Sequence, residues 1–401
     1  MGGRSGPAPT RTPDPAAITA AFRALAATGA DDTSGVVVAA APGRVNVIGE
    51  HTDYAGGLCL PAAIDRHVVC AAVRDTTPVP GRPRFRFASS GHEPGGRWER
   101  LAVAVTDELD SLGLAPTRAS AGFAATVPEG GGLSSSAAFE VACALALTAV
   151  AGHVVEPARI AAACRRAEAA GLGVPCGPMD QVASCLGVAG GAILLDCRSL
   201  ETRAVALPAG TALIVVDSGI PRTLVGSGYT ERVAECAEAA GLLGVASLRD
   251  IDMADLGRVD ATLPRVLARR VRHVVGENAR VVEAVRICDI GGSVADLGRL
   301  VDASHESLAR DYDVSLPALD AIVAACRTIE GVRGARVVGA GFGGSVLVLV
   351  DSRAVDPDAV AAAVPGPAHV VHPCAGARVL APADLPADLP ADLRADRPGG
   401  P

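Results

Sequence analysis

The chain has 401 residues, 49% hydrophobic and 20% charged, enough for a sizeable core in one large domain or two. Its net charge is −8 and all 36 basic residues are arginine, which argues against general binding to nucleic acid or acidic membrane. With no lysine, any anion site must use arginine, backbone N–H groups or a metal, and with only 2% aromatics the core must be Ala, Val and Leu.

Residues 1 to 15 are rich in Pro, Gly, Thr and Arg and are expected to be disordered. Pro15 to Ala27 has helical character, and Val36 to Ala41 is an apolar run bounded by Gly35 and Pro42 that suits a strand. Gly43 to Tyr54 then reads GRVNVIGEHTDY. Arg44, Asn46 and Ile48 alternate with Val45 and Val47, the period of a half-buried strand, and Gly49 breaks it. Glu50, His51 and Asp53 follow at once, with Thr52 and Tyr54 among them. Carboxylates and an imidazole at one turn suit a polyhydroxylated small molecule, because they accept from and donate to adjacent hydroxyls. A solvated loop is the alternative.

Pro61 to Val73 is apolar except for Asp65, Arg66 and His67, and His67 reads as a hydrogen-bonded structural residue. Thr76 to Trp98 reads as loop and strand, in which Trp98 and Phe87 suit packing or the face of an adenine ring. Pro128 to Ala138, PEGGGLSSSAA, places Gly130, Gly131 and Gly132 before Ser134, Ser135 and Ser136. The glycines allow a bend. The serines open a helix apolar nearly all round, hence buried. Free N–H groups at such a helix start make a phosphate site, though not a Walker P-loop, since Gly-Lys-Ser/Thr is absent. An ordinary N-capped helix fits these residues equally. The helix candidate Val141 to Ala151 is too short to span a membrane.

Glu156 to Ala170 reads as a second helix, stopped by Gly171, Gly173 and Pro175. Glu168 lies in its last turn, where the helix dipole opposes a carboxylate; a nearby cation or solvent would relieve it. Asp180 follows Gly177-Pro178 and precedes an apolar helix, so it faces a cleft or serves as a helix N-terminal aspartate. Gly191 to Asp196 and Ala212 to Asp217 are strand-like, and a composition shift at Leu207 to Gly210 sets a boundary between domains 16–208 and 209–380. Tyr229 to Gly244, Arg265 to Ile287 and Ser315 to Thr328 are helical. Arg336 to Val350, RVVGAGFGGSVLVLV, reads as strand-loop-strand whose glycines let backbone approach a ligand; a following strand excludes a dinucleotide fingerprint. His369 and His372 fall on opposite faces of a strand, so no metal is expected there. Residues 381–401 repeat Ala-Asp-Leu-Pro and are expected to be a disordered tail. The eleven cysteines are scattered with no Cys-x-x-Cys spacing, and with no secretory signal they point to reduced thiols in a cytoplasmic protein.

The three landmarks at Gly43–Tyr54, Pro128–Ala138 and Arg336–Val350 resemble, in this order, the GHMP kinase superfamily. GRVNVIGEHTDY is similar over its whole length to the signature of the galactokinase family within it, and CGPMDQ at 176–181 adds a lesser match. The resemblance covers residues 36 to 350. It implies an α+β, two-domain fold with the active site in the interdomain cleft, and transfer of the ATP γ-phosphoryl group to the 1-hydroxyl of α-D-galactose. It makes Asp180 the general base and Arg44 the cation beside it, which neutralises charge in the transition state. Glu50, His51, Thr52, Asp53, Gly177 and Tyr229 match sugar-binding positions. Gly130, Gly131, Gly132, Leu133, Ser134, Ser135 and Ser136 match the ATP phosphate loop, and Ser136 and Glu168 match ligands of Mg²⁺. The partners implied are galactose and ATP, with no nucleic acid or membrane, and a monomer is expected. Ala55, Gly56, Pro221, Arg222, Val338 and Ser345 depart from the family's usual residues near the cleft. The altered 55–56 and 221–222 positions keep open a related kinase of N-acetylgalactosamine or an arabinose-like sugar. A sugar and ATP sensor without turnover is the other alternative, and the intact Asp180, Arg44 and Ser-Ser-Ser-Ala-Ala run argue against it.

Overall fold

The computed structural model describes residues 12–30, 33–76, 81–173, 176–221, 225–387 and 389. Helix α1 (Pro15–Ala27) starts on proline, with the Asp14 carboxylate capping the Ala16 N–H at 2.9 Å. The two predicted strands before the central turn are one strand, β1 (Val37–Asn46), whose register shifts between Pro42 and Arg44. Pro42 has no N–H for the ladder, and a bulge there lets one strand carry both segments. Strands β2 (Leu58–Cys59), β3 (Pro61–Arg74) and β4 (Phe85–Ser89) lead to helix α2 (Arg97–Ser111) and strand β5 (Ala119–Ala125). Helices α3 (Ser135–Val150), α4 (Pro157–Leu172) and α5 (Met179–Leu186) follow, then strands β6 (Gly191–Asp196), β7 (Thr202–Ala206) and β8 (Thr211–Asp217). Next come α6 (Val225–Leu243), α7 (Leu256–Thr262), α8 (Arg265–Asp289), α9 (Val294–Ser307) and α10 (Pro317–Arg327). The chain closes with β9 (Val332–Val338), β10 (Ser345–Asp351), α11 (Pro357–Ala363), β11 (Ala368–Val371) and β12 (Arg378–Val379).

Three sheets result, in strand orders β12-β1-β3-β5-β4, β11-β8-β10-β9 and β2-β6-β7. The first is antiparallel except for the β4–β5 pair. Helix α1 lies close on its outer face because Gly122 of β5 has no side chain: a Cβ there would meet the Leu25 backbone at 2.0 Å. Helix α3 covers the inner face, and its apolar residues join one core with Val45 and Leu195 that continues into Leu213, Val281 and Leu347 of the second half. This is the α+β, two-part architecture that the motifs imply.

Some expectations change. The Leu207–Gly210 boundary falls between β7 and β8, but 209–380 is not self-contained, because β12 pairs with β1. The tail is not without structure from 381 onward: a 3₁₀ turn spans Pro382–Asp384, and Leu389 is buried with Leu380 beside Ile18 and Leu25 of α1. The expectations for residues 1–11, 388 and 390–401 lie outside the described residues, while 12–14 lead directly into α1. Helices α2, α7, α9 and α11 had no forecast; α9 is nonetheless signalled by a capping box of Ser293 and Asp296.

Candidate active site

A cavity of about 1320 Å³ opens between the halves, lined by Arg44, Glu50, His51, Asp53 and Asp180 on one side and Asp217, Tyr229 and Gly339 on the other. The turn after β1 is braced from behind. Gly49 and Glu50 give their N–H groups to Glu277 Oε1 of α8 at 2.9 and 3.2 Å, and Ser304 Oγ of α9 donates to the same oxygen at 2.7 Å. Glu50 Oε2 accepts from Asn46 Nδ2 at 2.5 Å, and Oε1 accepts from the Gly339 N–H. Arg336, wholly buried on β9, stands 3.6 Å from Glu50 Oε1 and donates to the carbonyls of Asn46 and Val47. Thr52 is the predicted sugar contact that the structure takes away from the cavity. Its hydroxyl is spent on the Gly49 and Leu58 carbonyls at 2.9 and 2.8 Å, which ties the turn to β2.

His51 sits at φ +61°, in the left-handed region that a non-glycine residue occupies only when its surroundings hold it there. Burial, with His273 nearby, lowers its pKa to about 3, so the ring is neutral. Asp53 moves the other way: burial first, then the Asp180 charge, raise its carboxyl to about 7. Asp53 fits only because residue 177 is glycine; a Cβ there would stand 1.9 Å from Asp53 Oδ2. The Tyr229 ring of α6 lies 5.9 Å from that of His51.

The opposite wall is the glycine loop and the start of α3. Gly130, Gly132 and Ser134 take φ values of +71°, +76° and +58°. Ser134 holds the N-cap position, yet its hydroxyl does not cap the helix. It donates to Asp180 Oδ2 at 2.5 Å. Arg44 Nε donates to Asp180 Oδ1 at 2.8 Å, and Arg44 Nη1 to the Gly132 carbonyl at 2.6 Å. One arginine thus joins the loop to the carboxylate. Ser135 and Ser136 line the cavity, whereas Leu133 points into the core and serves through its carbonyl, which accepts the Arg44 N–H at 3.0 Å. Gly131 faces Ser345 instead. Ser136 Oγ donates to Glu168 Oε1 at 2.9 Å.

Two partners of this wall were missed in the sequence. Gln181 Nε2 donates to Glu168 Oε2 at 2.8 Å and to Glu140 Oε2 at 3.2 Å, bridging α5 to α4 and α3. Burial, then Glu168, push the Glu140 pKa well up. A glutamate inside a helix apolar all round was the available signal. Farther along, Trp98 lines the cavity and packs 6.2 Å from Phe123 and from Phe139, while Phe87 packs against Phe123 from outside it. Of the departures, Pro221 lines the cavity, Ala55 and Val338 are buried, and Arg222 lies outside the described residues. A carboxylate between an arginine, a helix N-terminus and a ring of polar groups suits transfer of a phosphoryl group to a hydroxyl.

Three family models match the chain: "Galactokinase galactose-binding signature" over residues 25–74, "GHMP kinases N terminal domain" over 100–188 and "GHMP kinases C terminal" over 281–366. A galactokinase of Roseiflexus sp. (strain RS-1) is 39% identical over 333 residues, 80% of this chain and 85% of that protein. Among solved structures, Lactococcus lactis galactokinase complexed with galactose aligns at TM-score 0.80 and 28% identity over 90% of this chain and all of the other. L. major mevalonate kinase in complex with R-mevalonate shares the fold at TM-score 0.60 and 20% identity, covering 84% of this chain and 96% of its own.

Proposed function

The chain belongs to the galactokinase family of the GHMP kinases, and from its site we propose how it carries out that ATP-dependent sugar phosphorylation. The 1-hydroxyl of α-D-galactose gives its proton to Asp180 as its oxygen bonds to the γ-phosphorus of ATP. The bond from that phosphorus to the β–γ bridging oxygen breaks, and ADP and galactose 1-phosphate leave, the opening step of galactose catabolism. The observation that carries this is Asp180 held between Arg44 at 2.8 Å and Ser134 at 2.5 Å, at the junction of the sugar turn and the glycine loop. Arg44 Nη2 also stands 2.6 Å from Asp180 Oδ1, so Oδ2, whose one donor is Ser134, is the oxygen that keeps a lone pair for the sugar. Arg44 balances charge as it moves from the γ-phosphoryl to the leaving group.

Glu50, His51, Asp53, Gly177 and Tyr229 hold the sugar, and the N–H groups from Gly130 to Ser136 with the α3 dipole hold the phosphates. A hydroxyl beside a carboxylate, Ser136 and Glu168 at 2.9 Å, is an oxygen set that fits Mg²⁺, an ion that takes few protein ligands. When bound, Mg²⁺ would neutralise phosphate charge that Arg44, the loop N–H groups and the α3 dipole must otherwise meet. The eleven cysteines, ten of them buried, support a cytoplasmic location, and among the described residues no helix is long and apolar enough to cross a membrane. We take the working unit to be the monomer, because both walls come from one chain.

The test is ADP release with Mg²⁺-ATP against galactose, N-acetylgalactosamine, arabinose, mevalonate and homoserine, in wild type and Asp180→Ala. Turnover is expected on galactose alone, and Asp180→Ala should lose it by about 10³-fold while still binding ATP. Wild-type turnover in that variant removes Asp180 from the mechanism, and turnover on another sugar moves the assignment to a sibling activity.

A further inference from the structure

The sequence holds three tyrosines, Tyr54, Tyr229 and Tyr312, and their rings lie 5.9, 5.9 and 4.9 Å from that of His51. Two of them form a chain. His51 Nδ1 lies 2.8 Å from the Tyr54 hydroxyl, which lies 2.7 Å from the Tyr312 hydroxyl, which lies 3.1 Å from Cys236 Sγ. The chain runs from α6 to the sugar turn through buried ground; Tyr312 is 0% exposed. Its far end is fixed by a π-helical turn, Leu308–Tyr312, at the end of α9. Arg232 Nε donates to the Tyr312 carbonyl at 2.7 Å, Arg270 Nη1 to that of Asp311 at 2.6 Å, and the His273 ring lies tilted 4.3 Å from the Tyr312 ring. At the near end, His51 Nε2 has no hydrogen-bond partner among the described residues, though the side chain is buried and lines the cavity.

Buried hydroxyl hydrogens are costly to leave unpaired, and when each hydroxyl spends its one hydrogen within the chain only two directions remain. In one, Cys236 S–H donates to Tyr312, Tyr312 to Tyr54 and Tyr54 to His51 Nδ1, and every hydrogen meets oxygen or nitrogen. In the other, His51 Nδ1–H donates to Tyr54, Tyr54 to Tyr312 and Tyr312 to sulfur, a weak acceptor. The first direction matches the strongest donor, a phenol, with the strongest acceptor, an imidazole nitrogen. Burial keeps Tyr54 and Tyr312 protonated and His51 neutral, so one ring nitrogen carries the hydrogen. The Ala340 backbone beside the ring favours its protonated form, and burial and His273 outweigh it.

We propose that the Cys236–Tyr312–Tyr54 chain locks His51 in the tautomer with its hydrogen on Nε2, so that His51 donates to an oxygen of the sugar, with Tyr54 and Tyr312 as positioning residues. This rests on the reading above that His51 touches galactose. It gives the sugar turn a donor among acceptors: Glu50 and Asp53 can only accept when ionised, and a hydroxyl that donates to one of them can accept from His51. A buried N–H left unpaired is costly, which makes a sugar lacking the matching oxygen a poor ligand.

The test is nitrogen NMR of the full chain labelled with ¹⁵N-histidine, the His51 signals assigned by their loss in His51→Gln. The expected spectrum has a pyrrole-type Nε2 and an unprotonated Nδ1, and in Tyr54→Phe both signals move toward a mixture of tautomers. A pyrrole-type Nδ1 in wild type overturns the proposal. In kinetics, Tyr54→Phe should raise KM for galactose about tenfold and Tyr312→Phe about threefold, with KM for ATP unmoved in both. A spectrum as expected with galactose KM unmoved overturns the sugar contact and leaves the tautomer lock standing.

Discussion

The two walls of the cleft are built by opposite means. The sugar turn, residues 49–54, is held by side chains from elsewhere: Glu277 on its N–H groups, Arg336 and the Gly339 N–H on Glu50, and His273 Nε2 on the Glu50 carbonyl at 3.0 Å. The glycine loop holds its shape through backbone: positive φ at Gly130, Gly132 and Ser134, with Arg44 as its main side-chain tie. The difference follows from the ligands. A sugar is recognised by hydroxyl positions, so its partners must be buried and fixed before it arrives. A polyphosphate is recognised by charge, which N–H groups and a helix dipole supply with little need for side chains.

The comparison predicts that removing a brace harms the sugar wall most. In Arg336→Met the Glu50 carboxylate and the Asn46 and Val47 carbonyls lose a buried cation, which should cost about 3–5 kcal/mol of unfolding free energy. Urea denaturation measures it. A loss below about 1 kcal/mol would mean that Glu50 is held well enough by Asn46 and Gly339. Next in size is Gly177→Ala. Its Cβ would stand 1.9 Å from Asp53 Oδ2 and 2.7 Å from Asp53 Cβ, so Asp53 must swing aside and the backbone at one of the two residues must shift. KM for galactose should rise at least tenfold, worth about 1.4 kcal/mol, with the melting temperature lowered by the backbone shift. An unchanged KM would detach Asp53 from the sugar.

Most of the architecture could be read in the sequence, and so could the polar residues that meet around Asp180, because glycine bends and ionisable residues beside apolar strands are local signals. The wall of the cavity at 89–101 and 123–125 could not. Arg44, Asp180 and the serines after Gly132 were found that way. What stayed hidden is non-local. Thr52 looks like a sugar ligand in sequence, but a hydroxyl 2.8 Å from the Leu58 carbonyl is a brace, and only the return of β2 reveals it. Arg336 read as an ordinary strand residue, and nothing local says that it reaches β1 across the interface. Tyr312 stands between Asp311 and Asp313, and nothing local signals its π-helical turn. Helix α2 was lost among prolines and glycines that belong to the loop before it.

Asp53 sharpens the comparison through pH. Its carboxyl titrates at about 7 in the fold against 3.8 as a free side chain, raised by burial first and Asp180 second, with Glu50 adding and Arg44 opposing. The folded chain therefore binds this proton more tightly than the unfolded chain, and the group costs stability progressively as pH rises from about 4 to 7. The charged form is the better acceptor for sugar hydroxyls. KM for galactose should thus rise as pH falls through 7, approaching about tenfold per unit, while KM for ATP stays flat over that window. Asp53→Asn should melt higher than wild type at pH 8 and show a high galactose KM without this pH dependence. A flat wild-type profile would mean that Asp53 binds the sugar as the neutral acid.

The smallest effect belongs to the phosphate wall, and it uses the same substitution as at Gly177. Gly130 sits at φ +71°, and a Cβ there meets nothing within 4 Å among the described residues. Gly130→Ala therefore pays only for the left-handed backbone, about 1 kcal/mol, and displaces no neighbour. It should melt slightly lower, and KM for ATP should change less than about threefold, since the N–H groups keep their directions. Galactose KM should not move at all. If Gly130→Ala instead raised KM for ATP as far as Gly177→Ala raises KM for galactose, the loop would need a fixed side-chain-free surface against the phosphates, and both walls would then rest on close fit rather than one on fit and the other on charge.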